Sequence, residues 1–369
     1  MKNVIQNCLL SLISIIFLIL FIEFVVYRFI LPSCDMPGNV FENGVIKRKP
    51  NTSGIYRVKN IIKGHFMINA NGWNSKHNHY SIDKDPKIIR IAIIGDSYIE
   101  ALQVDYNESV AEKLELVLGH ENYEVYRFAI AGAPMSQYLH ILQNEVIKYK
   151  PDLVIVMLVH NDFEQSYTFV PGEYTSSFLK LSVDNNGIVE EIKPLKYQRR
   201  RYTFLKETAI IRNLLYRHCV RFQLLRDLLH GKDSQKNKYQ MNTDITNLDK
   251  NVKKNKIITE YIFKKIKDIC KESDTKLIIV MDGLRHHIYE HADSEGLNSL
   301  KKLGPYKLNL IAKLCAHKMN IAFIDMNQYF LNDYKINKKR FEFSPDGHYN
   351  QHGHEIVAKA IGEYIQQNF

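Results

Sequence analysis

The sequence has few of the residues that build a cross-linked or repetitive fold. Its five cysteines are an odd number, lie far apart and show no CxxC spacing, which excludes a disulfide framework and a zinc ribbon: Cys8, Cys34, Cys219, Cys270 and Cys315. With 17 glycines and 10 prolines in 369 residues, the chain is neither collagen-like nor a proline-rich linker. Its 45% hydrophobic and 24% charged residues are typical of a globular protein.

The sequence also has no acidic excess, since its formal net charge is +10. Residues 193–238 contain 13 Lys or Arg and 3 Asp or Glu, an excess as large as that of the whole chain. Apolar residues at helical spacing in 202–229 indicate a basic amphipathic helix. Such a helix could lie on anionic headgroups through residues 199–229, or cap an active site with its apolar stripe, and the two can coexist. No motif supports nucleic-acid binding.

The N-terminal segment is predicted to be a membrane anchor. Residues 3–22 are uncharged and mostly Leu, Ile, Phe and Val, which is long enough to span a bilayer as a helix, with Glu23 near an interface. No AxA-like cleavage site follows, so we expect an uncleaved transmembrane helix within residues 1–31. Positive charge around Arg28 and 47–49 would place the following domain in the cytoplasm, but long domains can translocate regardless of flanking charge.

Residues 32–86 are polar and are interpreted as a linker and N-terminal arm, and an alternating pattern starts at residue 87. Short apolar runs such as KIIRIAIIG, EVYRFAIAG and DLVIVML alternate with stretches of helical spacing at 104–118, 136–149, 257–270, 303–317 and from 351. Five buried strands alternating with helices predict an α/β fold with a parallel sheet covered on both faces. The basic, helical insertion at about 163–255 interrupts this pattern.

Chemically useful residues follow the predicted strands, where active sites of such sheets lie. Ser97, Asp346 and His348 are suited to nucleophilic catalysis, because histidine can take the serine proton and a carboxylate can orient the histidine. The backbone N–H groups of Ser97 and Gly132 and the side-chain amide of Asn161 could stabilise an oxyanion.

These segments resemble the SGNH, or GDSL-type, hydrolase family, particularly its membrane-anchored bacterial members. The resemblance lies in GDS at 95–97, Gly132, HND at 160–162, DGHYNQHGH at 346–354 and NANGWNS at 69–75. It implies a flavodoxin-like three-layer α/β/α sandwich over 87–369, with Ser97, His348 and Asp346 as the triad, Ser97, Gly132 and Asn161 as the oxyanion hole, and no cofactor or metal. The sequence departs from the family at Arg127, Ala129 and Val159, in Tyr98 after GDS, and in the DxH spacing.

The resemblance implies a membrane-anchored esterase that acts through an acyl-enzyme on an O-acetyl ester of a glycan, with a lipid ester as second choice. It also favours an exported catalytic domain. An O-acyltransferase would use the same site, and a noncatalytic anchored scaffold protein could retain the fold. A metal-dependent hydrolase is a further alternative, since His348 and His352, like His287 and His291, are four residues apart. We expect His352 and His354 to lie in the first turns of the last helix.

Overall fold

The structure of the protein is a computed structural model. It describes residues 2–31, 34–58, 61–170, 172–198, 205, 208–215, 228, 248–291, 296–344 and 346–369. Much of the basic segment 199–229 lies outside the described residues, so its predicted binding to headgroups stays a prediction.

Strands and helices alternate along most of the described chain. The strands are β1 (Asn39–Glu42), β2 (Val45–Arg48), β3 (Thr52–Val58), β4 (Ile62–Ile68), β5 (Ile89–Gly95), β6 (Tyr123–Ala129), β7 (Leu153–Leu158), β8 (Lys180–Val183), β9 (Val189–Ile192), β10 (Lys276–Met281) and β11 (Ala322–Asp325). The α-helices are α1 (Lys2–Phe21), α2 (Ser97–Glu100), α3 (Val110–Leu118), α4 (Met135–Ile141), α5 (Asp162–Gln165), α6 (Ala209–Leu215), α7 (Leu248–Glu272), α8 (Arg285–His291), α9 (Leu297–Lys301), α10 (Tyr306–Lys318), α11 (Met326–Asn337) and α12 (Gln351–Asn368). Shorter π and 3₁₀ turns are Ile22–Ile30, Tyr106–Glu108, Leu142–Val146, Ile147–Tyr149 and Thr175–Ser177.

The centre of the fold is a five-stranded sheet with the order β11-β10-β7-β5-β6, in which every neighbouring pair is parallel. Numbered along the chain within this sheet, the order is 2-1-3-4-5, the order of flavodoxin-like folds. The predicted α/β fold with a five-stranded parallel sheet is therefore confirmed.

Helices cover both faces of the sheet because alternate strand residues point to opposite sides. On one side, Ala92 and Ile94 share a buried cluster with residues of α4, α7 and α10. On the other side, Ile91 and Ile93 share a buried cluster with residues of α3, α8, α11 and α12. The sheet is thus the middle layer of three, and both of its faces are apolar.

The segment interpreted as a linker and arm contains two antiparallel strand pairs, β1-β2 and β3-β4. A small apolar cluster joins β3 and β4 to Leu102 of the sheet domain. The segment also packs closely against that domain: a Cβ on Gly64 would lie 2.3 Å from the carbonyl oxygen of Leu102, so only glycine fits there. The N-terminal arm is therefore packed on the part of the chain that holds Ser97.

The helix over Lys2–Tyr27 is long and apolar enough to cross a membrane; its most apolar stretch has a mean hydropathy of 3.0, and none of that stretch is buried. Glu23 at its end accepts hydrogen bonds from the backbone N–H groups of Ala209 (2.7 Å) and Ile210 (3.0 Å). Arg212 in turn pairs with Asp35 at 3.0 Å. The insertion thus returns to the end of the apolar helix.

Candidate active site

Ser97 is the first residue of α2, and a single residue, Asp96, separates it from the end of β5. Asp96 caps this helix, since its Oδ1 accepts a hydrogen bond from the backbone N–H of Tyr98 at 2.9 Å. Gly95 is required for the turn, because a Cβ there would lie 2.5 Å from Cγ1 of Ile99. The tight turn leaves Ser97 half-buried at the carboxyl edge of the sheet.

Burial also changes the acid strength of the capping carboxyl. Asp96 is 2% exposed, and its burial raises its pKa to about 6, although the Tyr98 backbone N–H and His348 act in the opposite direction. Its Oδ2 lies 3.3 Å from Oγ of Ser97. A second hydrogen-bond acceptor is therefore available to the serine hydroxyl.

His348 lies beside Ser97, although 251 positions separate them in the sequence. The distance from its Nε2 to Oγ of Ser97 is 2.7 Å. For Nε2 to accept the serine proton, the ring proton must sit on Nδ1, and Nδ1 lies 3.1 Å from Oδ1 of Asp346. That distance is short enough for an ion pair, but Nδ1 is not aligned as a hydrogen-bond donor. The structure thus brings Ser97, His348 and Asp346 together.

Gly347 makes the short spacing between Asp346 and His348 possible. Its φ of 71° lies in the left-handed region, which costs other residues about 1–2 kcal/mol. The Gly347 carbonyl accepts hydrogen bonds from the hydroxyl of Tyr98 (3.1 Å) and from Nη1 of Arg285 (3.1 Å). Two buried donors therefore hold the turn that presents the carboxylate to the imidazole.

Arg285 is itself fixed by a buried polar network. Its Nη2 lies 3.2 Å from Oδ2 of Asp282 and donates to the Tyr98 hydroxyl at 2.7 Å. Oδ1 of Asp282 accepts a further hydrogen bond from the Tyr349 hydroxyl at 2.5 Å. Burial opposes the charge on Arg285, but Asp282 nearby keeps the pKa of the guanidinium well above its usual value. The network lies directly behind the Asp346–His348 turn.

Gly132 and Asn161 follow β6 and β7, the strands on either side of β5. Gly132 has a φ of 74°, and a Cβ at this position would contact nothing within 4 Å, so space is open beside the backbone. Oδ1 of Asn161 is buried and accepts no hydrogen bond from the residues that the structure describes. The Asn161 turn is held by Asp162, whose Oδ2 accepts from the Val159 N–H (2.8 Å) and the Tyr138 hydroxyl (3.0 Å).

Burial, assisted by the nearby Asp96, raises the pKa of Asp162 well above its ordinary value. Burial thus favours the neutral form of the carboxyl that holds the Asn161 turn.

A cavity of about 550 Å³ opens beside Ser97 and His348. Its walls come from the N-terminal arm, from the segments after α2 and β6, and from the insertion; they include Asn39, Phe41, Arg48, Leu102, Gln103, Ala131, Tyr174 and Tyr197. Gly132 and Asn161 do not line it. The segments outside the α/β sheet thus form much of the space next to the serine.

The remaining histidines of the notable motifs lie elsewhere. His352 and His354 lie in the first turn of α12, where Nε2 of His352 pairs with Asp333 at 2.7 Å and His354 is buried. Nδ1 of His287 lies 3.4 Å from Glu290. Within the ranges that the structure describes, no group of three or more His, Cys, Asp or Glu side chains is placed to hold a metal ion.

Sequence reasoning did not identify four residues that contact the site: Arg48, Glu100, Tyr174 and Arg285. Glu100 and Arg285 could have been found, because each follows a predicted strand by a few residues at the carboxyl edge. Arg48 and Tyr174 lie in segments without a clear period, and only tertiary packing places them near Ser97.

No protein-family model matches the chain, nor does any curated protein match it in sequence. Several solved structures are similar to it. The crystal structure of TesA is 10% identical, with 75% of this chain and 98% of TesA covered and a TM-score of 0.40. The acetyl xylan esterase AlAXEase is 12% identical, with 75% and 100% covered and a TM-score of 0.39. A lipase/acylhydrolase from Enterococcus faecalis is 12% identical, with 76% and 96% covered and a TM-score of 0.39.

These identities and TM-scores are too low to assign an activity to this chain.

Proposed function

We propose that this protein is a serine ester hydrolase of the SGNH type, with Ser97 as nucleophile, His348 as general base and Asp346 as the carboxylate that orients it. The observation that carries the proposal is the 2.7 Å contact between Nε2 of His348 and Oγ of Ser97. A serine hydroxyl is a weak nucleophile at neutral pH, and a base at this distance is what activates it.

In the proposed reaction, Oγ of Ser97 attacks the ester carbonyl carbon while its proton passes to Nε2 of His348. The Asp346 carboxylate stabilises the imidazolium that forms. Backbone N–H groups of Ser97 and Gly132 and the Asn161 amide donate hydrogen bonds to the developing oxyanion. His348 then protonates the departing alcohol, and a water molecule, activated by the same histidine, releases the acid from the acyl-serine.

We infer that the substrate is an O-acyl ester of a glycan, with acetyl as the first choice and a lipid ester as the second. The inference is supported by the lining of the cavity, which contains three aromatic side chains and two amide side chains: Phe41, Tyr174, Tyr197, Asn39 and Gln103. Apolar walls with a few polar groups are usual in ligand sites. Nitrophenyl esters of increasing chain length test it, because turnover that rises from acetate to octanoate would favour a lipid ester.

We further propose that the helix Lys2–Tyr27 anchors the protein in the membrane, with the catalytic domain on the exported side. Its length and hydropathy support the anchor. If the anchor exists, the chain stays in the membrane pellet after alkaline carbonate extraction. Protease added to intact spheroplasts should digest the domain; protection of the domain would place it in the cytoplasm.

The catalytic proposal is tested with the full chain purified in detergent. Wild-type protein should hydrolyse p-nitrophenyl acetate, and Ser97→Ala should lose that activity, whereas Ser109→Ala, which also changes a serine at a helix start, should retain it. A fluorophosphonate should label Ser97, as identified by mass spectrometry of the adduct. Absence of both turnover and labelling would favour the noncatalytic scaffold, and inhibition by a chelator without labelling would favour a metal-dependent hydrolase.

A further inference from the structure

A buried ion pair joins the N-terminal arm to the helix that starts at Ser97. Nε and Nη2 of Arg48 lie 2.5 and 3.0 Å from the two carboxylate oxygens of Glu100, and the two side chains are 4% and 1% exposed. Nη1 of Arg48 donates to Oδ1 of Asn39 at 2.6 Å. Burial opposes the charge on Arg48, but Glu100 keeps the pKa of the guanidinium above its usual value.

This ion pair contacts Ala131, the residue before Gly132. The Ala131 N–H donates to Oε2 of Glu100 at 2.8 Å, and the Tyr174 hydroxyl donates to the Ala131 carbonyl at 2.9 Å. The Tyr174 hydroxyl in turn lies 3.4 Å from Nη2 of Arg48, whose guanidinium is 5.3 Å from the centroid of the tyrosine ring. Glu100 and Tyr174 therefore hold Ala131 from both sides.

The Ala131 carbonyl and the Gly132 N–H belong to one peptide unit. Because that unit is planar and trans, a group that fixes the direction of the carbonyl also fixes the direction of the N–H at its other end. A hydrogen bond to the carbonyl also polarises the peptide and makes its N–H a better donor. Burial raises the pKa of Tyr174, which keeps its hydroxyl protonated as a donor.

We propose that Tyr174 is a positioning residue for the reaction, which orients the Ala131–Gly132 peptide so that the Gly132 N–H meets the oxyanion, with Arg48 and Glu100 holding Tyr174 and Ala131 in place. The inference rests on the proposed function, in which Gly132 is an oxyanion donor. It gives the insertion and the N-terminal arm a role in the reaction itself, beyond the shape of the cavity.

Tyr174→Phe is the informative variant, because it keeps the ring beside Arg48 and removes only the hydroxyl. A missing oxyanion donor costs about 100- to 1000-fold in kcat, and a misdirected one should cost less, about tenfold. We expect that loss in kcat for p-nitrophenyl acetate with little change in KM. The inhibition constant of a boronic acid, which forms a tetrahedral adduct with Ser97, should rise by the same factor as kcat/KM falls.

Two further variants separate positioning from a merely structural role. Tyr167→Phe, which removes a hydroxyl that donates to Asn255 at 2.8 Å in the same insertion, should leave kcat and the boronate affinity unchanged. Replacing Tyr174 with p-aminophenylalanine restores a donor and should recover most of the activity. Trp73 fluorescence reports the folding of each variant, since this single tryptophan is 1% exposed.

The outcomes separate this inference from the proposed function. If Ser97→Ala is inactive while Tyr174→Phe matches wild type, the positioning role is wrong and the esterase proposal stands. If the loss in Tyr174→Phe appears only in KM, with unchanged boronate affinity, Tyr174 is a substrate contact and the inference is overturned. If the p-aminophenylalanine variant is folded but no more active than Tyr174→Phe, the hydrogen bond to Ala131 is not what matters. If Ser97→Ala retains turnover, both proposals fail.

Discussion

Replacing Asp96 with asparagine should change how the folding stability depends on pH. The folded-state pKa of Asp96 is about 6, against an ordinary value of 3.8. Because the folded protein binds this proton more tightly than the unfolded chain, the stabilisation from Asp96 is complete below about pH 4 and is lost as pH rises through about 6. A difference of about two pKa units corresponds to about 3 kcal/mol. The asparagine side chain of the variant does not ionise and still offers an oxygen to the Tyr98 N–H.

The free energy of unfolding is measured by urea titration of the full chain in detergent at pH 4 and pH 7.5. Trp73 is a suitable probe, because it is buried and its ring lies 5.4 Å from that of Phe128. Relative to wild type, Asp96→Asn should gain about 2–3 kcal/mol between the two pH values. Asp325→Asn, which removes the capping carboxylate of α11 at a partly exposed site, controls for the loss of a cap as such. An equal stability difference at both pH values would refute the reasoning.

Three further substitutions test the turn behind His348. Asp346→Asn should lower kcat for p-nitrophenyl acetate by about 10⁴-fold, and a loss below about tenfold would contradict its role. Gly347→Ala should cost about 1–2 kcal/mol of stability and lower kcat. Its control is Gly119→Ala, which should cost stability alone, because Gly119 also has a positive φ and, among the described residues, no atom lies within 4 Å of a Cβ placed on Gly119. Arg285→Met should lower kcat. Its control is Arg90→Met, which also removes a buried arginine bonded to a carbonyl and a carboxylate; it should destabilise the fold by about 3–5 kcal/mol without lowering kcat in the folded protein. Equal kcat losses in both variants would argue against a local effect of Arg285.

The sheet could be predicted because its signals are local. Each of the five strands is a short apolar run, and helical spacing follows or precedes it. Parallel strands have their carboxyl ends at one edge, so the positions of Ser97, Gly132 and Asn161 beside neighbouring strands follow from topology. Topology alone did not predict the contact between Ser97 and His348; that expectation came from the chemistry of the two side chains, together with the resemblance to a known family.

The contribution of the N-terminal arm could not be predicted in this way. Its strands are four to seven residues long, and their pairing becomes stable only when they pack on the sheet domain. Arg48 has a charged side chain in a polar segment, which indicates an exposed residue. It is buried only because Glu100 and Asn39 provide the partners that a buried charge requires.

Two of the sequence's departures from the family pattern have a local structural explanation. The one-residue spacing between Asp346 and His348 is accommodated by the left-handed backbone of Gly347 and by the donors that hold its carbonyl. Arg127, at a second departure, is 1% exposed and donates to the carbonyls of Glu100 (3.3 Å) and Tyr106 (2.9 Å), so it supports the segment after α2. The number of residues between a carboxylate and an imidazole is therefore a poor measure of the distance between them. A single glycine with a left-handed backbone, and the side chains that donate hydrogen bonds to its carbonyl, can alter that distance.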